Sequence, residues 1–138
     1  MRLFLDANIL VSVLNKEYPI FSFSARILSL APPKKFEIVT SPLCLAIAFY
    51  FAEKKHRAEK AKEKIKVLSD HIEIISTSKE AVSKSLSNAA VLDFEDGLEY
   101  YAAIESRCTC IVTEDTSDFY FSEIEVLTSE NFCKRYLI

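Results

Sequence analysis

Leu3-Phe4-Leu5 is a short apolar run that stops on Asp6, and Ile9, Leu10, Val13 and Leu14 follow at once at helical spacing. A strand with no polar face is buried on both sides, the condition of a parallel sheet covered by helices. Sheets of this kind bind their ligands in the crevice beyond the carboxyl ends of the strands. Asp6 therefore stands where this architecture places its chemistry.

The alternation continues along the chain. Residues 2–5 read as a strand and 7–16 as a helix. Pro19 opens a second helical pattern through Ile20, Phe23, Ile27, Leu28 and Leu30, which Pro32-Pro33 ends. Residues 36–40 form a second strand, and Ser41-Pro42 supply an N-cap and a first-turn proline for a helix over 43–55. Residues 54–69 continue as helix after a break, rich in Ala, Lys and Glu with Ile65 and Leu68 on one side. The β-branched residues 72–76 predict the third strand. Thr77 or Ser78 caps a helix that runs to about residue 89, and Asp93 caps the next, over 94–106. Residues 108–113 and 125–127 are the fourth and fifth strands, and Ser129 caps a last helix to 137. Strands alternating with helices predict an α/β fold, a three-layer α/β/α sandwich with a mostly parallel sheet of about five strands.

With 138 residues, half of them hydrophobic, the chain suits a single domain over 1–138 with its own core. A net charge of −3 argues against a globally basic nucleic-acid binder. Asp6 interrupts the apolar N-terminal stretch and no small-residue cleavage site follows it, so no signal peptide is expected. No segment has the ~18 apolar residues in a row that a membrane span needs, and the expected location is cytoplasmic. Cys44, Cys108, Cys110 and Cys133 lack the spacing of a zinc site and the density of a disulfide scaffold. Cys108 and Cys110 read as small core residues on one face of a strand. The one glycine, Gly97, excludes glycine-rich phosphate loops.

Three acidic clusters fall at equivalent places: Asp6 after the first strand, Asp93-Phe94-Glu95-Asp96 at a helix start, and Glu114-Asp115 with Asp118 after Val112-Thr113. Neighbouring strand ends lie about 4.8 Å apart, so Asp6 and Asp115 face each other if the first and fourth strands pair. Asp96, one turn into its helix, points into the same space. Two carboxylates about 5 Å apart repel by roughly 3 kcal/mol at an effective dielectric near 20, and a divalent cation removes that penalty. Mg²⁺ and Mn²⁺ both take a few carboxylates together with water and substrate phosphate. Asp93 reads as a helix cap, and Glu95 and Glu99 as parts of a solvated helix face. His56 and His71 lie away from the acidic motifs and read as surface residues.

The segments LeuPheLeuAspAlaAsnIleLeu, AspPheGluAspGlyLeuGluTyrTyrAlaAla and IleValThrGluAspThrSerAspPhe together resemble the three signatures of PIN domains, in order and at the usual distances. The second and third resemble those of the small bacterial and archaeal members. The resemblance implies a metal-dependent ribonuclease using Mg²⁺ or Mn²⁺, commonly the toxin of a toxin–antitoxin pair. It makes Asp6 and Asp96 the principal metal carboxylates, with Asp115 or Asp118 in the third acidic position. It assigns Asn8, Ser41 and Thr113 to the polar surroundings of the site. The chain departs from the pattern in the helix after the second strand. Many members carry glutamate there and some asparagine, whereas Leu45-Ala46-Ile47-Ala48 offers only apolar side chains and Glu53 lies more than a turn beyond.

Residues 54–66 hold seven Lys or Arg and two Glu. Lys54, Lys55, Arg57 and Lys60 are candidates to guide an RNA backbone, because phosphate contacts dominate nucleic-acid affinity. The alternative is a solvated helix face with Glu59 and Glu63 in i,i+3 or i,i+4 pairs. Phe21, Phe23, Phe49, Tyr50 and Phe51 are candidates for an interface, and the resemblance implies a homodimer and a separate antitoxin. Two other readings compete with a nuclease. One is a catalytically silent PIN-like module that binds RNA or protein after losing an acidic ligand near Ala48. The other is a phosphoacceptor receiver domain, which is disfavoured because no aspartate ends the third strand and no lysine follows a later strand in the required place.

Overall fold

β1 (Arg2–Leu5) is the central strand of a five-stranded sheet in the computed structural model, which describes residues 1–30 and 35–137. On one side of it lie β2 (Glu37–Thr40) and then β3 (Glu73–Ile74), and on the other β4 (Cys110–Val112) and then β5 (Glu125–Leu127). All four pairings are parallel, so the expected mostly parallel sheet is parallel throughout. β1 and β4 are partners, with Leu5 opposite Val112. The strand ends that carry Asp6 and Thr113 are therefore adjacent.

The connections explain why this edge of the sheet opens into a crevice. α1 (Ala7–Leu14) and α2 (Ile20–Leu28) lead from β1 to β2, and α3 (Pro42–Lys55) and α4 (Ala58–His71) lead from β2 to β3. α5 (Lys79–Ser87) and α6 (Phe94–Glu105) then carry the chain back across the sheet to β4. Parallel crossovers are right-handed, so a chain that reverses its direction along the sheet must place its helices on the opposite face. The packing follows that rule: α1 touches α2 and α3, α3 touches α4, and α2 touches α7 (Ser129–Tyr136), while α5 and α6 pack on each other. Chains leave β1 and β4 toward opposite faces, and the gap between them is the switch point where such sheets bind ligands.

Leu3, Phe4, Leu5, Ile9, Leu10, Ile27, Val39, Ile111, Val112, Phe119 and Phe132 are almost completely enclosed. Each such side chain contributes about 1.5–3 kcal/mol through burial. All four cysteines are free thiols in buried positions. Gly97 has a packing role: a Cβ there would lie 2.8 Å from Ser85 Oγ and from Val91 Cγ1, so its absence lets α6 press onto α5.

Several boundaries differ from the expectation. β3 has two residues where 72–76 was expected, because it is an edge strand whose two side chains are exposed. Thr128, and not Ser129, caps α7 through the Asn131 amide. Ser129 is instead the first helical residue, and Glu114 accepts both its amide, at 3.0 Å, and its hydroxyl, at 2.7 Å. The Pro32-Pro33 helix stop lies outside the described residues. The break between α3 and α4 falls at His56 and Arg57, and it folds the imidazole inward. His56 is half-buried, with an Nε2 that has no hydrogen-bond partner, and so is not the surface residue expected. His71 is exposed.

Candidate metal centre

Asp6 is fixed from several directions. It ends β1 and caps α1, and its Oδ1 accepts the Ala7 amide at 2.6 Å. Its Oδ2 accepts the Thr113 hydroxyl at 2.8 Å, a bond made possible by the pairing of β1 with β4. Asn8 ties the two strand ends together. Its amide nitrogen lies 3.3 Å from Asp6 Oδ2, 3.0 Å from Thr113 Oγ1 and 3.2 Å from Asp115 Oδ2, and its carbonyl accepts the Glu114 amide at 3.1 Å. Thr113 Oγ1 also accepts the Asp115 amide at 3.1 Å. Side chains held this tightly keep two carboxylates close without a cation of the protein between them.

Around these strand ends opens a cleft of about 440 Å³, lined by Asp6, Asn8, Asp93, Asp96, Asp115 and Asp118 among others. No Lys or Arg is among its described lining residues. Asp93 caps α6 through the Asp96 amide at 3.1 Å and so sets the first turn that carries Asp96 into the cleft. Burial, then Asp93 and Asp118, raise the Asp96 carboxyl to about 7. Burial and Asp115 also raise Asp118 above its ordinary value. Of the third acidic cluster, Glu114 alone turns away, toward the start of α7.

Glu99 departs most from the sequence reading. Instead of a solvated face it occupies the floor of the cleft, 3% exposed, with Cys44 Sγ 3.2 Å from its Oε1. Burial and the contact with Asp6 push its carboxyl up to about 11, and the Cys44 thiol is raised by its own burial and by Glu99. The available signal was the spacing, since Glu99 is three residues from Asp96 and shares its side of the helix. Ser41 is buried and caps α3 through the Cys44 amide at 3.3 Å, and it does not line the cleft. From α3 the cleft wall receives Ile47 and Phe51.

The basic segment lies partly elsewhere. Lys55 donates to the Asn15 carbonyl at 2.6 Å, and Lys60 borders a separate apolar groove with Val13, Leu14, Leu28 and Leu68. Lys54 lies over the ring of Tyr50, 4.3 Å from its centroid, and Arg57 is exposed. The ion pair formed along α4 is Lys66 with Asp70, and neither Glu59 nor Glu63 is paired among the described residues. Phe21, Phe23 and Phe49 are half-buried, whereas Tyr50 and Phe51 are exposed.

Comparison with known proteins agrees with this fold. The chain is 30% identical over 139 residues to Ribonuclease VapC1 of Aquifex aeolicus, covering 98% of this chain and 95% of that protein. It superimposes on VapBC-1 from nontypeable Haemophilus influenzae with a TM-score of 0.71 at 16% identity, covering 94% of this chain and 99% of the other. A toxin–antitoxin complex from Klebsiella pneumoniae gives a TM-score of 0.69 at 19% identity, covering 92% and 97%. The PIN domain family matches residues 2–117. The sheet order, the acidic switch point and this match have one conclusion: the chain belongs to the PIN domain family and is VapC-like within it.

Proposed function

We propose that this chain is a divalent-cation-dependent endoribonuclease and the toxin of a toxin–antitoxin pair. One observation carries the reading: Asp6, Asp96, Asp115 and Asp118 border a single cleft whose described lining has no basic residue. Carboxylates so crowded, with Asp96 raised to about 7 by its surroundings, fit a small dication with oxygen ligands better than they fit each other. Asp6, Asp96 and Asp115 would hold Mg²⁺ or Mn²⁺, with Asp118 beside them. Such an ion supplies a polarised water at neutral pH and neutralises charge on a phosphodiester.

The chain's own residues do the rest. Thr113 and the Ala7 amide fix the orientation of Asp6, and Asn8 keeps Asp115 beside it. A carboxylate at the cleft mouth accepts the proton released when water attacks the phosphodiester. The ribonuclease named as a relative supports RNA as substrate, and the toxin–antitoxin complex of the same fold supports a protein antitoxin as partner. A homodimer is proposed through exposed Tyr50 and Phe51. Among the described residues no helix is long and apolar enough to cross a membrane.

The test is RNA cleavage with Mn²⁺, with Mg²⁺ and with chelator, for the wild type, Asp6→Asn and Asp96→Asn. Cleavage should require the cation and fall by about 10²-fold or more in both variants. Cleavage indifferent to both substitutions would defeat the assignment. The second reading, a silent RNA- or protein-binding module, is favoured by the apolar Ile47 on the cleft wall. It predicts RNA binding without cleavage under every cation.

A further inference from the structure

Behind Glu99, enclosed beyond the lining of the cleft, lies a donor that oxygen chemistry does not require. Cys44 is fully enclosed on the first turn of α3, and one ligand atom from each of Asp6, Cys44 and Glu99 lies within 4.8 Å of the other two. All three residues are buried, and none of the ion pairs among the described residues involves Asp6 or Glu99. Buried ionisable groups are ordinarily paired or bound to metal, because removing a charge from water is costly. Among the described residues the polar partners of Glu99 are the Asp6 carboxylate and the Cys44 thiol.

The donor set is chemically distinct from the cleft mouth. Asp96, Asp115 and Asp118 offer oxygen alone, whereas the buried group of Asp6, Glu99 and Cys44 offers two carboxylates and one sulfur. Magnesium demands oxygen ligands and keeps its waters, while sulfur favours softer first-row ions. Ile47, facing the cleft from the same helix as Cys44, adds no competing oxygen.

We infer that Asp6, Glu99 and Cys44 form an inner cation position with mixed oxygen and sulfur ligands, which takes Co²⁺ or Zn²⁺ in preference to Mg²⁺. The inference deepens the proposed function and rests on its reading of the cleft as a cation site. On binding, the Cys44 S–H bond breaks and its proton passes to water, the Glu99 carboxyl likewise releases its proton, and the freed sulfur and oxygen lone pairs bond to the ion. No group is oxidised or reduced.

Co²⁺ is the probe, because cobalt bound to thiolate absorbs in the near ultraviolet by charge transfer. The full chain, kept under thiol-reducing conditions, is titrated with Co²⁺ in absorbance, and binding is measured in parallel by calorimetry. The wild type should develop the band, and Mg²⁺ should displace it only in about hundredfold excess. Cys44→Ser should lose the band and bind Co²⁺ about tenfold more weakly, and Glu99→Gln should weaken binding by a similar factor. Both changes are nearly isosteric, and Cys44→Ala replaces the serine variant if circular dichroism shows that the latter is unfolded. Co²⁺ binding without the band, unchanged in Cys44→Ser and Glu99→Gln but lost in Asp6→Asn, would overturn the inner position and leave the nuclease reading intact. No binding of Co²⁺, Mn²⁺ or Mg²⁺ at millimolar concentration would overturn both.

Discussion

Thr113 holds Asp6 from the neighbouring strand, and removing its hydroxyl isolates what orientation alone contributes. Thr113→Val keeps the shape but leaves Asp6 Oδ2 without its 2.8 Å donor and the Asp115 amide without its acceptor. Residues that orient metal ligands are worth about 10–100-fold in affinity. Mn²⁺ binding measured by calorimetry should weaken by that factor in Thr113→Val and be largely retained in Thr113→Ser. A second prediction concerns pH. Burial first, then Asp93, lifts Asp96 from 3.8 to about 7, and burial first, then the hydrogen bond with Asp6, lifts Glu99 from 4.5 to about 11. The folded chain therefore binds more protons than the unfolded chain between these limits, and stability falls as pH rises through the window. In chelator, the urea midpoint should drop from about pH 5 to about pH 8. Asp96→Asn should flatten only the part below about pH 7, Glu99→Gln should reduce the slope across the whole range, above pH 7 included, and added Mn²⁺ should raise the midpoint at pH 8. A wild-type profile that does not change with pH would contradict the carboxyl assignments.

Helix α6 delivers Asp96 and Glu99 together, and its seating depends on Gly97 between them. Gly97→Ala forces a methyl group to within 2.8–2.9 Å of Ser85 and Val91. Overpacking of this kind costs about 1–3 kcal/mol, offset in part by the better helix propensity of alanine. Urea denaturation should show a net loss of about 1–2 kcal/mol, and Ser85→Ala in the same background should recover part of it by removing the Ser85 Oγ contact. This packing also decided what the sequence disclosed. The apolar run of β1, the proline after Ser41 and the aspartate before α6 act over a few residues, so the succession of strands and helices and the first-turn position of Asp96 were legible. Glu99 was not, because helical periodicity shows that a face is polar and does not say which neighbour that face meets. Its burial follows from how α6 meets the end of β1 and the start of α3, a tertiary fact carried by Asp6 and Cys44. The cap of α7 misled for a related reason: Thr128 and Ser129 both offer hydroxyls, and Glu114, fifteen residues away from Ser129, takes the latter. The inward turn of His56 depends likewise on the break between two helices.

The whole molecule carries a net charge of −3 and opens an acidic cleft, so a polyanion approaching it is repelled until cations compensate. A bound dication removes part of that repulsion, and side chains on the rim must supply the rest. Lys54 is the best placed: it sits on α3, which also contributes Ile47 and Phe51 to the cleft wall, and its ammonium group lies over Tyr50. Arg57, exposed just beyond the end of α3, extends the same basic edge. Lys55 and Lys60 are less available, one bonded to the Asn15 carbonyl and the other beside the separate groove. The basic segment therefore divides into two residues proposed to meet RNA phosphates and two with structural neighbours. Each phosphate contact contributes about 0.7 to the slope of log affinity against log salt for a single strand. Binding of a single-stranded RNA to the cleavage-deficient Asp6→Asn protein, measured by fluorescence anisotropy from about 50 to 200 mM salt, should lose roughly 1.4 units of slope in the Lys54→Ala, Arg57→Ala double variant. The same pair of substitutions at Lys55 and Lys60 should leave the slope near that of Asp6→Asn alone. Equal losses from both pairs would mean that RNA follows the length of α4 rather than the rim of the acidic cleft.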